Sequence, residues 1–267
     1  MHETELQQRF TAAQSIARDA GRQALEYFAR HGQLQVESKG VSDRVSEADR
    51  AVEDTIVSRL RALCPGDALL GEESGAKPGS LPDSPTWVID PIDGTDCFVS
   101  GIPVWSISIA LADAGEAALG VVYDPNAGEL FAACRGAGAT LNGFPIQANA
   151  ADAFGDGLVS IGFSHRRSPA ATLRTLQRLL DQGGMYQRNG SGALSLAYVA
   201  AGRYLGYYEA HINSWDALAG VALVREAGGW TSDFLASDGL YAGNEIIACG
   251  PNLVELMQRI CSRGQST

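Results

Sequence analysis

Trp87-Val88-Ile89-Asp90-Pro91-Ile92-Asp93-Gly94-Thr95 carries an apolar, strand-like run straight into a turn that holds two carboxylates. The acids lie three positions apart, with Pro91 fixing the bend between them. At a strand end that spacing can point both at one volume. Clustered carboxylates raise one another's pKa unless positive charge lies between them. Hard divalent cations are the natural remedy, because they choose oxygen ligands. Gly94-Thr95 follows at once, so a turn there would aim backbone N–H groups into the same volume, where an anion could sit.

Three further acids stand in similar surroundings. Glu72 and Glu73 follow Leu69-Leu70-Gly71, and Asp216 follows Trp215. A surface salt-bridge carboxylate needs no such apolar neighbours. Magnesium takes a few carboxylates, keeps waters and leaves positions for a substrate phosphate. Two such ions can activate a water on one side and stabilise a leaving oxygen on the other. Gly190-Ser191-Gly192-Ala193, at the start of an expected helix, is a second candidate anion cradle. Alone it is a weak signal, since helix starts carry Ser and Gly for capping.

The remainder of the chain bounds the possibilities. It has 267 residues, 45% hydrophobic and 19% charged, an ordinary globular composition that excludes disorder and low-complexity architectures. With 31 acidic against 20 basic side chains, the formal charge of −11 gives no overall attraction to nucleic acid or anionic lipid. No apolar run approaches the ~20 residues that span a bilayer. The start, Met1-His2-Glu3-Thr4-Glu5, lacks the features of a signal peptide. Cys64, Cys97, Cys134, Cys249 and Cys261 are widely spread and form no C-x-x-C pair. They read as small buried hydrophobes, and a reducing cytoplasm is expected.

Helical periodicity marks a first helix through Leu6, Phe10, Ala13, Ile16, Ala20, Ala24 and Phe28, ended by His31-Gly32. Ser46 with Asp49 announces a second by a capping-box pattern, and the polar segment 37–43 between the two reads as a mobile link. Short strands follow, and 105–131 reads as an antiparallel meander. In the second half strands alternate with helices: a strand at 158–161, a helix opened by Ser168-Pro169, another after Gly190-Ser191-Gly192, a strand at 204–209, a helix at 215–227, and a last strand and helix after Ile246. This predicts an α+β half, 1–145, holding most of the candidate ligands, and an α/β half, 146–267, holding the pocket residues and Asp216.

Residues 87–95 resemble the first signature of the inositol monophosphatase family. Trp215-Asp216-Ala217-Leu218-Ala219-Gly220, followed by Glu226-Ala227-Gly228-Gly229, is similar to its second, and Gly71-Glu72-Glu73-Ser74 matches a segment upstream of the first. Three matches in the family's order cover nearly the whole chain. The resemblance implies a five-layered αβαβα sandwich, α+β in its first half and α/β in its second, paired as a homodimer.

It also implies roles. Glu72, Asp90 and the Ile92 carbonyl would hold one magnesium ion, and Asp90, Asp93 and Asp216 a second, with Glu72 assisting a third through water. Glu72 and Thr95 would orient and deprotonate the attacking water, and Asp49 would hydrogen-bond Thr95. Phosphate would meet Asp93, Gly94, Thr95 and Asp216, while Ser164, Gly190, Ser191, Gly192 and Glu209 would face the rest of the substrate. Asp49 is equally suited to serve its helix N-terminus, and Glu73 reads as solvated or supporting.

The chain also departs from the family pattern. Thr95-Asp96-Cys97-Phe98 stands where the family often has Thr-x-Asn-Phe, which puts the substrate surroundings in question. Gly192 would widen the pocket. His165, Arg166 and Arg167 read as a solvated run before an anion site, and His211 as a packing residue. The resemblance implies a lithium-sensitive, magnesium-dependent phosphomonoesterase using metal-activated water and no covalent phosphoenzyme. Inositol monophosphate is the first substrate, with histidinol phosphate the alternative suggested by 100–105. A regulatory, antitermination-type binding protein is the reading from another class.

Overall fold

Leu6, Ala13, Ile16, Ala17, Ala20 and Ala24 fall on one side of helix α1 (Glu3–Phe28), and all six are buried there. The computed structural model describes residues 1–40, 43–81 and 83–262. After α1, in the segment read from the sequence only as a polar link, the described residues pair as strands. They are β1 (Val36–Gly40) and β2 (Asp43–Ser46), antiparallel to each other. Backbone pairing alone defines them; their sequence has no alternating apolar face to betray a strand. Residues 41 and 42 of the link lie outside the described residues. Helix α2 (Glu47–Leu63) then begins on the predicted box: the Ala48 N–H donates to Ser46 Oγ at 3.2 Å, and the Ser46 N–H to Asp49 Oδ2 at 2.8 Å.

The next strands build one sheet. They are β3 (Ala68–Gly71), β4 (Gly75–Lys77), β5 (Thr86–Asp93) and, after the short helix α3 (Thr95–Val99), β6 (Ser106–Asp113), β7 (Glu116–Asp124), β8 (Glu129–Cys134), β9 (Gly138–Leu141) and β10 (Phe144–Pro145). The order is β10-β9-β8-β7-β6-β5-β3-β4, antiparallel except where β3 runs parallel to β5. The predicted meander is its centre. Asn142 and Gly143 both take positive φ, 51° and 82°, the left-handed pair that a tight hairpin requires.

The second half supplies β11 (Leu158–Ile161), α4 (Pro169–Asp181), β12 (Met185–Gln187), α5 (Gly192–Ala200), β13 (Gly206–Ile212), α6 (Ser214–Glu226), β14 (Trp230–Thr231), α7 (Gly239–Ala242), β15 (Asn244–Cys249) and α8 (Val254–Cys261). Its five strands are ordered β12-β11-β13-β15-β14. Strand β12 is too short and too exposed to carry a pattern in the sequence.

Helices α1 and α2 cover one face of the eight-stranded sheet, and α5 and α6 cover the other. The same α5–α6 pair packs on the five-stranded sheet, whose outer face carries α4 and α8. Five layers result, αβαβα. The central pair is buried on both sides, so α6 is apolar nearly all round, from Ala217 to Val224. Glycine permits the close fit. A Cβ on Gly120 of β7 would lie 2.3 Å from the Ala219 carbonyl oxygen, and one on Gly220 would lie 2.3 Å from Leu196 Cβ. Among the described residues no helix is long and apolar enough to cross a membrane.

Candidate active site

The pairing of β5 with β6 slips at the motif. Asp90 sits opposite Ser108 and Asp93 opposite Ser106, so three steps on β5 match two on β6. In a regular strand residues three apart face opposite sides; the extra residue of the bulge turns both carboxylates to one side. That side is the one α5 and α6 cover. The first turn of α6 brings in Asp216. One oxygen from each of Asp90, Asp93 and Asp216 lies within 4.8 Å of the others.

Burial and mutual repulsion set the electrostatics. The Asp90 pKa is held well above the usual carboxylate range, first by burial and then by Glu72, Asp216 and Asp93. Burial, with Asp216, pushes Asp93 up to about 7 against the hydrogen bonds it accepts. Burial also raises Asp216. Among the described residues no Lys or Arg forms an ion pair with any of the three. The donor set is oxygen only, anionic and deficient in positive charge, which fits a hard divalent cation.

The Gly190–Ala193 segment differs from its expected role as an open anion cradle. Its donors are already occupied by Asp93: the Ala193 N–H at 2.7 Å, the Gly192 N–H at 3.3 Å and the Ser191 hydroxyl all donate to that carboxylate. Asp93 therefore caps α5 and joins the two halves of the chain. Nor does Gly192 widen the pocket. A Cβ there would meet Ile212 Cδ1 at 2.7 Å, so the space beside it is filled.

Gly94, at φ 102°, turns the chain out of β5, and α3 begins at Thr95. The Thr95 hydroxyl lies 3.1 Å from both Asp49 Oδ1 and the Ile92 carbonyl oxygen. Asp49 is itself held by the Ser46 N–H and hydroxyl, and burial raises its pKa. Capping and contact with Thr95 thus occur together. Glu72 follows β3 and lines the same cleft. Behind it stands Glu53, which the sequence analysis did not single out. Its buried carboxylate accepts the Glu73 and Ser74 N–H groups, each at 2.9 Å. An acid beside Val52 on the buried side of α2 was the available signal.

The cleft, about 490 Å³, extends from these acids into the second half. Ser164, Gly190, Ser191, Gly192 and Glu209 all line it, as do Asp96, His165, Arg166 and His211. Glu209 accepts a hydrogen bond from the Tyr207 hydroxyl, and burial pushes its pKa up to about 7. His211 Nε2 lies 3.0 Å from the Ala242 carbonyl, and burial lowers the ring's pKa. Cys97 Sγ sits 3.7 Å from the Asn189 carbonyl oxygen. Arg166 is hydrogen-bonded to Asn213, whereas Arg167 lines a separate pocket with Arg174 and Tyr208. Tyr207 and Asn213 are further cleft residues that no motif marked.

Comparison with known proteins points the same way. The model of the inositol monophosphatase family matches residues 5–265. The chain is 38% identical over 258 residues to an inositol-1-monophosphatase of Rhizobium meliloti (strain 1021), covering 94% of this chain and 93% of that protein. It is 37% identical over 249 residues to a Nus factor SuhB of Salmonella typhimurium (strain LT2), covering 92% and 93%. The fold superposes on the crystal structure of the extragenic suppressor protein suhB of Bartonella henselae with a TM-score of 0.89 at 34% identity, covering 96% of this chain and 98% of that one.

Proposed function

The chain belongs to the inositol monophosphatase family and is a phosphoric monoester hydrolase, and we propose that it cleaves a small monoester, inositol monophosphate first, with magnesium as cofactor. The observation that carries this reading is the convergence of Asp90, Asp93 and Asp216 on one buried volume. Those three, with Glu72 and the Ile92 carbonyl, would hold the metal. Bound magnesium supplies charge neutralisation of the ester phosphate and acidification of water.

The chain's own groups do the rest. The Thr95 hydroxyl donates its hydrogen bond to Asp49 or to the Ile92 carbonyl, so its lone pairs are left to orient a water for in-line attack. Glu72 takes that water's proton. Backbone N–H groups at Gly94 and Thr95 receive the phosphate. At the far end Glu209, braced by Tyr207, accepts hydroxyls of the leaving alcohol, with Ser164 and the Gly190–Gly192 segment beside it. Nothing in this sequence of steps needs a covalent phosphoenzyme. Lithium sensitivity, a homodimer, a cytoplasmic setting and a two-part chain divided near residue 145 complete the proposal.

The names of relatives favour one other reading. Several are Nus factor SuhB proteins, which supports a regulatory binding role beside or instead of catalysis. Phosphate release measured with magnesium and with EDTA, over inositol monophosphate, histidinol phosphate and other monoesters, tests the proposal. Metal-dependent hydrolysis led by inositol monophosphate is expected. A strong preference for histidinol phosphate would replace the substrate, and no release from any ester would leave the binding role.

A further inference from the structure

Asn213 occupies the N-cap position of α6 yet makes no side-chain capping bond. An asparagine there ordinarily turns its carbonyl oxygen onto a first-turn N–H. Here that oxygen accepts from Arg166 Nη1 at 2.8 Å, and the amide nitrogen faces Asp216 Oδ2 at 3.5 Å. Arginine donates and never accepts, so only the amide oxygen can face it. The amide nitrogen is then left pointing at Asp216. Arg166 is itself set by a local turn, its N–H lying 3.3 Å from Ser164 Oγ.

We propose that Arg166 is a positioning residue for Asp216, acting through the amide of Asn213. Asp216 sits among carboxylates that repel it, and a donor fixed on one of its oxygens leaves the other to turn toward the shared volume. Without Arg166 the amide is free to rotate, its oxygen can cap α6, and its nitrogen leaves Asp216. This rests on the reading of Asp216 as a magnesium ligand. It also gives Arg166 a duty in a run that the sequence alone presents as solvated.

Magnesium affinity without substrate, read from the rise of the unfolding temperature during titration, tests it. Wild type, Arg166→Met, Arg166→Lys, Asn213→Ala, the double variant Arg166→Met/Asn213→Ala, and Arg167→Met as control are compared. Arg166→Met and Asn213→Ala should each weaken magnesium binding by about 10-fold. The double variant should lose no more than either alone. Arg166→Lys, which keeps a donor, should recover most of the affinity, and Arg167→Met should match wild type. At saturating magnesium, the KM for ester should stay within about twofold of wild type. Unchanged magnesium affinity with a raised KM would overturn the inference and make Arg166 a direct substrate contact. Additive losses would overturn it too. A wild-type protein that shows no magnesium-dependent rise would remove the metal reading, and this inference with it.

Discussion

Asp93 and Ala193 lie 100 residues apart in sequence, yet the Ala193 N–H donates to the Asp93 carboxylate at 2.7 Å. One side chain thus completes the acid cluster and closes the N-terminus of α5, where negative charge is favoured. Burial nevertheless holds its pKa near 7, so above that pH its charge costs the metal-free fold stability. Asp93→Asn should therefore lose hydrolysis by on the order of 100-fold or more. Its unfolding temperature should rise much less with magnesium than that of wild type, since only the ion held without Asp93 keeps its ligands. In EDTA at pH 8 the variant should be at least as stable as wild type. Thermal unfolding with and without magnesium checks both halves; a preserved magnesium response would separate Asp93 from the metal.

The Thr95 hydroxyl is expected to matter for turnover and not for metal binding. Thr95→Val should lower kcat by about 100-fold, while Thr95→Ser keeps most of it. Asp49→Asn should lower kcat and also loosen the start of α2, by about 1 kcal/mol. Magnesium-dependent thermal shifts should persist in all three. Steady-state kinetics beside urea unfolding distinguishes these effects, and a Thr95→Val enzyme of normal kcat would dismiss the hydroxyl.

Legibility in the sequence followed the range of the interactions. Asp90, Asp93 and Asp216 could be named because each sits in a short local pattern, the first two closing an apolar strand run and the third opening an apolar helix. The capping box at Ser46 and Asp49 was readable for the same reason. What brings the acids together was not: the bulge opposite Ser106 and Ser108 exists only in pairing between strands. Gly190–Ala193 looked like an open cradle, since nothing near it in sequence shows that Asp93 fills it. Glu53 and Asn213 lack motifs, because their partners lie 20 and 47 residues away. The pairing of strands 36–40 and 43–46 stayed hidden because backbone pairing leaves no trace in polar residues.

Glu53 offers a test at a distance from the acids. Its two oxygens receive the N–H groups of Glu73 and Ser74, which belong to the two successive peptides that follow Glu72. Glu53→Gln turns an amide donor against one of them, at a cost of roughly 1–3 kcal/mol. The Glu72 turn should loosen, weakening magnesium binding by about 10-fold. Gly71→Ala should act alike by a steric route, as its Cβ would fall 2.6 Å from Glu53 Oε1. Magnesium titration of the unfolding temperature reads the effect. Loss of stability with unaltered affinity would limit Glu53 to bracing the fold.

Glu209 governs a pH dependence whose sign is fixed by burial. Its pKa in the fold is about 7 against an ordinary 4.5, raised by burial and by Asp216 and Asp93, and opposed by the Tyr207 hydroxyl and Arg188. The folded protein therefore binds this proton more tightly than the unfolded chain. Its contribution is fully present below pH 4.5 and is lost as pH rises through about 7. Glu209→Gln carries no such proton, so across that window wild type should lose on the order of 3 kcal/mol more stability than the variant, which keeps the pH dependence of Asp93 and its neighbours. Urea unfolding in EDTA at several pH values between 4.5 and 8 gives the comparison. Curves that stay parallel would mean that Glu209 ionises at its ordinary pKa, and the far end of the cleft would then carry a fixed negative charge throughout the neutral range.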